Sequence, residues 1–300
     1  MATPSSPTCA ACGAVAEFAD KFCEACGAAF ADHRHVDLGG LAGVTDTGHR
    51  HDRNEDAMAL TVAQTPTGVA SIAVVCDGVS TSERPDEASH TAAGAAAESM
   101  AAALRAGVAG EEALRQAVLA ADAAVRGLAG DSDNAPATTI VAGVVSADQI
   151  SVCWIGDSRA YWLPAIDAPS ALLLTRDDSL AEELVSVGVL TEAEAYASQH
   201  AHVVTRWLGA DADSPEPHIV SVRPSTPGFL LLCSDGLWNY QPDPEGLHRL
   251  ALPAALTDLG AAADALLTFA LDSGGQDNTT VVLAAAPPVP HDTPDPGGNT

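Results

Sequence analysis

The chain has 300 residues, 40 of them acidic and 13 basic, for a net charge of −27 and a pI near 4.3. That deficit of Lys and Arg excludes nucleic acid as the main partner and disfavours anionic membrane surfaces, since both demand clustered cations. Apolar residues at 47% supply a sizeable core without disulfides. No stretch reaches the roughly 18 apolar residues of a membrane span, and the start MATPSSPTCAAC has neither the basic region nor the apolar run of a secretory signal, so the reading is a cytoplasmic protein.

Residues 1–8 read as a flexible leader. Residues 9–30 carry Cys9-x2-Cys12 and, ten residues on, Cys23-x2-Cys26. Two CxxC knuckles, each followed by a glycine (Gly13, Gly27), have the spacing of a tetrahedral zinc site. Phe18, Phe22 and Phe30 are its candidate mini-core, and a module this small needs its metal to fold. Four thiolates leave no open coordination position, so the Zn²⁺ is structural. The first 35 residues hold only Lys21 and Arg34 as fixed cations against Glu17, Asp20, Glu24 and Asp32. This zinc ribbon is therefore read as docking a protein partner, not nucleic acid.

Residues 31–36 read as a linker to one domain over 37–286. Apolar runs predict strands at 69–76, 139–145, 150–155 and 229–233 and a last strand at 277–285. Helices are predicted at 84–106, 111–129 and 255–271; in the second, Leu114, Ala117, Val118, Ala121, Val125 and Leu128 recur at helical spacing as core. Residues 178–198 predict two short helices joined near Gly188, with a Thr191/Glu194 capping box on the second. Cys76, Cys153 and Cys233 sit singly in apolar runs as reduced core residues. The Pro/Gly-rich residues 287–300 read as a disordered tail.

Four carboxylates share one context. Asp77 ends IAVVCDG before its glycine, Asp157 follows SVCWIG, Asp235 follows FLLLCS, and Asp277 opens DNTTVVL. One Asp-Gly after a strand is ordinarily a hairpin turn. Four acids at strand mouths, with Glu55 and Asp56 of GHRHDRNEDA besides, are costly to desolvate unless paired, and too few cations stand nearby. Oxygen donors without basic partners point to hard divalent ions, Mg²⁺ or Mn²⁺.

The ordered pieces RNEDA (53–57), VVCDG (74–78), ATTIV (137–141), GDSRAY (156–161), TRWLG (205–209), LLLCSDGLW (230–238) and GGQDNTTVV (274–282) resemble the metal-dependent protein serine/threonine phosphatases of type 2C, the PPM family, bacterial type. The resemblance runs from about Gly39 to Leu283. It implies an α+β fold, a four-layer αββα sandwich of two antiparallel sheets flanked by helices. It implies two Mn²⁺ or Mg²⁺ ions: Asp77 bridges both, Asp235 and Asp277 complete one, and Glu55 with the Gly78 carbonyl completes the other. Asp56 is implied to orient metal-bound water, Asp157 to hold a third ion, Asn278 to brace the turn of Asp277, and Thr139 to lie close by. Residues 176–211 resemble a flap beside the site, with His200, His202, Trp207 and His218 as packing or surface groups.

Two departures from the family pattern matter. The usual phosphate-gripping arginine position is His51, flanked by Arg50 and Arg53; Arg50 is the favoured replacement, because Arg53 abuts the ligands and is placed to salt-bridge locally. The histidine expected after the Asp-Gly pair is Val79, followed by Ser80-Thr81-Ser82, so no general acid is assigned, and His90 reads as a packing or solvated residue. The implied function is hydrolysis of phosphoserine and phosphothreonine on proteins, opposing a kinase. The alternative is an inactive scaffold whose zinc ribbon docks a partner.

Overall fold

The computed structural model describes residues 12, 14, 24–26, 33–130, 134–166, 170–196, 198, 203–213 and 215–287. The strands are β1 (Arg34–Asp37), β2 (Leu41–Asp46), β3 (Asp56–Thr65), β4 (Gly68–Asp77), β5 (Ala137–Thr138), β6 (Ile140–Val145), β7 (Ile150–Ile155), β8 (Arg159–Pro164), β9 (Leu172–Leu173), β10 (Leu208–Gly209), β11 (His218–Val222), β12 (Gly228–Cys233) and β13 (Thr279–Ala286). The helices are α1 (Pro85–Arg105), α2 (Gly110–Arg126), α3 (Leu180–Ser186), α4 (Glu192–Tyr196), α5 (Asp235–Trp238), α6 (Pro244–Ala255) and α7 (Leu259–Asp272).

One sheet runs β1-β2-β13-β12-β8-β9 and the other β11-β7-β6-β4-β3, all pairs antiparallel, while β10 pairs β5. Both inner strand sets read as unbroken apolar runs because both of their faces are covered. Along β4, Ile72, Val74 and Cys76 face α1 and α2, whereas Ala73 and Val75 face the opposite sheet. Along β12, Leu231 and Cys233 face α6 and α7, whereas Leu230 and Leu232 meet the first set. This period of two on each strand builds three apolar layers between four layers of structure. The αββα expectation is met.

Helix α1 packs through alanines, with Ala88, Ala92, Ala93 and Ala96 buried beside Met100. On α2 the buried face carries Leu114, Ala117, Val118, Ala121 and Val125. The predicted helix over 255–271 is corrected: α6 ends at Ala255, and a new helix begins at Leu259, capped by the Asp258 carboxylate accepting from the Ala261 N–H at 3.0 Å. The Thr191/Glu194 capping box forms, Glu194 accepting from the Thr191 N–H at 2.9 Å and the Thr191 hydroxyl accepting from the Glu194 N–H at 3.3 Å. Residues Arg34–Val36 are not linker, since they form β1 and pair with β2. Residues 1–8, Cys9, Cys23, His200, His202 and 288–300 lie outside the described residues. Among those described, no helix is long and apolar enough to cross a membrane.

At the root of β8, Arg159 is buried against Asp177, donating from Nε at 2.9 Å and from Nη2 at 2.7 Å, with its guanidinium 3.7 Å above the Trp238 ring. A forked pair of this kind has no solvent to fall back on. Asp177→Ala should therefore cost about 3–5 kcal/mol, the cost of stranding a buried cation, read as a lower urea midpoint. An Asp177 variant as stable as the parent would show that the pair carries no such weight.

Candidate active site

The acids meet at one end of the sandwich. Asp56 opens β3 and Asp77 closes β4, and the two are directly opposite in the ladder. Asp235 begins α5 immediately after β12, and Asp277 precedes β13, its neighbour in the sheet. Neither Asp77-Gly78 nor Asp235-Gly236 is a hairpin: the first leads into the loop before α1, the second into α5. Gly78 has to be glycine, because a Cβ there would lie 2.5 Å from the Pro85 carbonyl oxygen and 2.8 Å from that of Glu55. Its N–H donates to the Glu55 carbonyl at 3.0 Å, drawing the Glu55 loop onto the end of β4.

Asn278 ties the loops together. Its Oδ1 accepts from the Glu55 N–H at 2.6 Å, and its Nδ2 donates to the carbonyls of Thr47 at 2.8 Å and Arg53 at 3.1 Å. It thus braces the Glu55 loop as well as the turn of Asp277. Thr139 lies in the cluster, its N–H donating to the Asp77 carbonyl at 2.7 Å and its hydroxyl 3.0 Å from that of Ser158. Glu55 accepts from the Ser80 hydroxyl at 2.7 Å.

Asp56 is 1% exposed. Its Oδ2 accepts from the hydroxyls of Ser234 at 2.6 Å and Thr280 at 2.8 Å, while its Oδ1 is buried with no hydrogen-bond partner. Burial pushes its carboxyl up to about 7, against the pull of those two hydroxyls. Asp157 is also buried and pushed up to about 7, by desolvation first and then by the charge of Asp177. Asp77 and Asp235 keep one edge open to solvent. Desolvation first, then the charges of Asp56, Asp235, Asp157 and Asp277 on Asp77, and those of Asp157, Asp277 and Asp56 on Asp235, hold both well above the usual carboxylate range.

The basic residues do not relieve this crowding. Arg53 pairs with Asp86 at 3.1 Å and approaches Glu55 only to 4.0 Å, so it does salt-bridge locally. His51 stands on Asp277, Nε2 to Oδ1 at 3.1 Å. Arg159 is committed to Asp177. Arg50 is exposed and has no ion pair or hydrogen bond among the described residues. An orphaned buried carboxylate oxygen, beside acids that raise one another's affinity for protons, is a donor set that fits hard divalent cations. A hollow lined by Gly39, Phe229, Leu256 and Pro287 opens at the far ends of β12 and β13, away from the acids.

Cys76, Cys153 and Cys233 are fully buried, and desolvation pushes all three thiols up, that of Cys153 to about 12, so none is a nucleophile. His90 is on the exposed side of α1, its Nδ1 2.8 Å from the Asp86 carbonyl. Trp207 donates to Asp211 at 3.0 Å. His218 stacks on Trp154 and meets Asp178 at 2.9 Å, and Asp178 also accepts from the Gly156 N–H at 3.0 Å and faces Arg206. This Asp178 junction fastens the segment before α3 to the loop of Asp157, and it was not foreseen. The hydroxyls of Ser80, Ser234 and Thr280 were also not foreseen as partners of the acids. Adjacency to a motif acid, as in Ser234-Asp235, was the one signal available for any of them.

Two packed antiparallel sheets with helices outside, and acids gathered at one end with few basic partners, define a sandwich of the αββα class with a donor set suited to divalent cations. The protein phosphatase 2C family model matches residues 45–259, and the chain belongs to that family. It is 34% identical over 150 residues to the serine/threonine phosphatase stp of Listeria monocytogenes, covering 50% of this chain and 57% of that protein. It is 31% identical over 147 residues to PstP of Mycobacterium tuberculosis, covering 49% of this chain and 27% of that protein. The aligned part therefore spans little more than half of the Listeria relative and about a quarter of the mycobacterial one. Among solved structures, the serine/threonine phosphatase Stp1 from Staphylococcus aureus superposes with a TM-score of 0.68 at 27% identity over 84% of this chain and 98% of its own. The PPM Ser-Thr phosphatase of Mycobacterium smegmatis, in complex with cacodylate, does so with a TM-score of 0.63 at 32% identity over 83% and 99%.

The acids give a signed pH dependence. A carboxyl whose folded pKa is raised binds more protons folded than unfolded between about pH 4 and 7, so stability present at low pH is lost as pH rises through that window. Metal-stripped protein should melt lower at about pH 8 than at about pH 5.5, and Mn²⁺ should shrink the difference. A melting temperature that rises across this range without metal would contradict the crowding.

Proposed function

We propose that this chain hydrolyses phosphoserine and phosphothreonine monoesters on proteins, using divalent ions held by Glu55, Asp77, the Gly78 carbonyl, Asp235 and Asp277, with a further ion near Asp157. The single observation that carries this reading is the meeting of these acids around a buried, unpartnered Asp56 Oδ1. Bound Mn²⁺ or Mg²⁺ in such a set acidifies water toward neutrality and neutralises charge on a phosphoryl group.

The remaining tasks fall to the protein's own atoms. Asp56, fixed by Ser234 and Thr280, presents Oδ1 as an acceptor that orients water at the site. Asn278 and Gly78 hold the Glu55 loop at the strand ends, so the carboxylates are positioned before substrate arrives. Arg50, uncommitted to any carboxylate among the described residues, offers a guanidinium fork to phosphate oxygens, whereas Arg53 is engaged by Asp86. His51, next to Arg50 in sequence, stands on Asp277 and links the gripping loop to the acid cluster. Helices α3 and α4, within a flap over 176–211 anchored at Asp178, govern access. No serine or cysteine of the chain is needed as a nucleophile.

Cys9, Cys12, Cys23 and Cys26 form the structural zinc ribbon of this reading, a docking module for a protein partner, and the substrates are those of a serine/threonine kinase. An inactive scaffold has little reason to keep five crowded acids, so the enzymatic reading stands first.

Two assays test it on phosphopeptides with Mn²⁺. Asp77→Asn and Asp235→Asn should each lower kcat/KM by at least about 10²–10³-fold, the scale of a lost electrostatic contact to the reacting group; activity that survives both changes together would reject the reading. Arg50→Ala should raise KM several-fold more than Arg53→Ala. Equal, negligible effects would remove the phosphate grip from this loop.

A further inference from the structure

Away from the acid cluster, three side chains converge where β1 lies against α7. His35 lies in the edge strand β1 and His33 stands just before its start, and both imidazoles reach the same carboxylate. Asp264 rises from α7 beneath them. Its Oδ1 lies 3.5 Å from Nε2 of His33 and 3.4 Å from Nδ1 of His35, and the three donor atoms all fall within 4.8 Å of one another. That oxygen is shielded from solvent and makes no hydrogen bond, although the side chain as a whole is 44% exposed. An imidazolium–carboxylate hydrogen bond would sit at about 2.7–2.9 Å, shorter than either approach. Donors on a tetrahedral ion with bonds of about 2.0–2.1 Å stand about 3.3–3.4 Å apart, close to both.

Two further features aim these groups. Gly260 lies one turn before Asp264 on the same face of α7, and a Cβ there would stand 2.9 Å from both Cε1 and Nε2 of His35. The missing side chain lets the His35 ring lie on the helix and turn Nδ1 toward Asp264. On the other side, Asp46 follows Thr45, the β2 partner of Arg34, and its Oδ2 lies 4.0 Å from Nδ1, the ring nitrogen of His33 other than the one near Asp264. At that distance the carboxylate acts on the imidazole through its charge and not through a hydrogen bond.

We propose that His33, His35 and Asp264 form a second metal site, separate from the acid cluster, that takes a borderline transition-metal ion of the Zn²⁺ class through two imidazoles and one carboxylate. Mixed nitrogen and oxygen donors select such an ion over Mg²⁺. The ion clamps the edge strand to α7 at the point where the chain enters the phosphatase domain from the cysteine-bearing segment.

The test uses the full chain in saturating Mg²⁺, which occupies the carboxylate cluster and competes poorly for imidazole. Zn²⁺ binding is measured by equilibrium dialysis with metal analysis for the parent, His35→Ala and Asp264→Asn, and folding is checked by the melting temperature in Mg²⁺. Asp264→Asn keeps the side chain's shape on a half-exposed helical position, so it preserves the test should the histidine variant unfold. Each folded variant should lose one equivalent of Zn²⁺ or bind it at least about tenfold more weakly. With Co²⁺ as the probe, the thiolate charge-transfer band of the cysteine site should persist in both variants while the absorption of the nitrogen/oxygen site disappears. Unchanged Zn²⁺ stoichiometry and affinity in Asp264→Asn overturns the proposal, as does loss of the thiolate band together with the missing equivalent.

Discussion

Like charges held closer than water would allow are the constraint on which this molecule turns. Asp56, Asp77, Asp157, Asp235 and Asp277 come from five different places in the chain, and Asp56, Asp157, Asp235 and Asp277 all raise the cost of ionising Asp77. Folding brings them together because the apolar runs that precede or follow them must be buried on both faces. The hydrophobic layers thus hold an electrostatically unfavourable arrangement in place, and bound cations turn the same arrangement into a favourable one. Stability and reactivity meet in a single set of oxygens.

The surrounding polar groups are distributed accordingly. Hydroxyls and amides, not cations, satisfy the acids: Ser234 and Thr280 on Asp56, Ser80 on Glu55, Asn239 on Asp235 at 3.1 Å. Neutral donors fix geometry without cancelling the charge an ion would feel. Arginines are spent elsewhere, Arg159 on Asp177 and Arg126 on Asp122 at 2.6 Å. Among the described residues, the loop over 48–54 brings basic side chains to the rim, where His51 reaches Asp277 while Arg50 is exposed.

Much of this was legible beforehand, and the reason is specific. A carboxylate at the end of a fully apolar strand is so unfavourable without a partner that Asp77, Asp157, Asp235 and Asp277 announced themselves. Strands β4, β6, β7 and β12 were legible because their runs are long and unbroken. Strand β11, His218–Val222, is short and half-buried at an edge, and β8 carries a buried arginine and ends in proline, so neither stood out. Helix α6 holds Pro253 in its interior, a residue that ordinarily argues against a helix. Contacts that depend on register, such as Ser234 and Thr280 converging on Asp56 from β12 and β13, have no local signature, because the partners are separated by nearly the whole domain. The Asp178 junction and the His33–His35–Asp264 group were missed for the same reason.

The order of strands in the six-stranded sheet bears on biogenesis. The last of the described strands in chain order, Thr279–Ala286, is not an edge but the seam between β2, an early one, and β12. Until that segment emerges, the amino-terminal hairpin has no sheet to join, and the sandwich stays split along its centre. Such late, long-range closure is slow and leaves apolar strand edges uncovered during synthesis. The full set of carboxylates therefore comes together only once this strand has been inserted between its two neighbours.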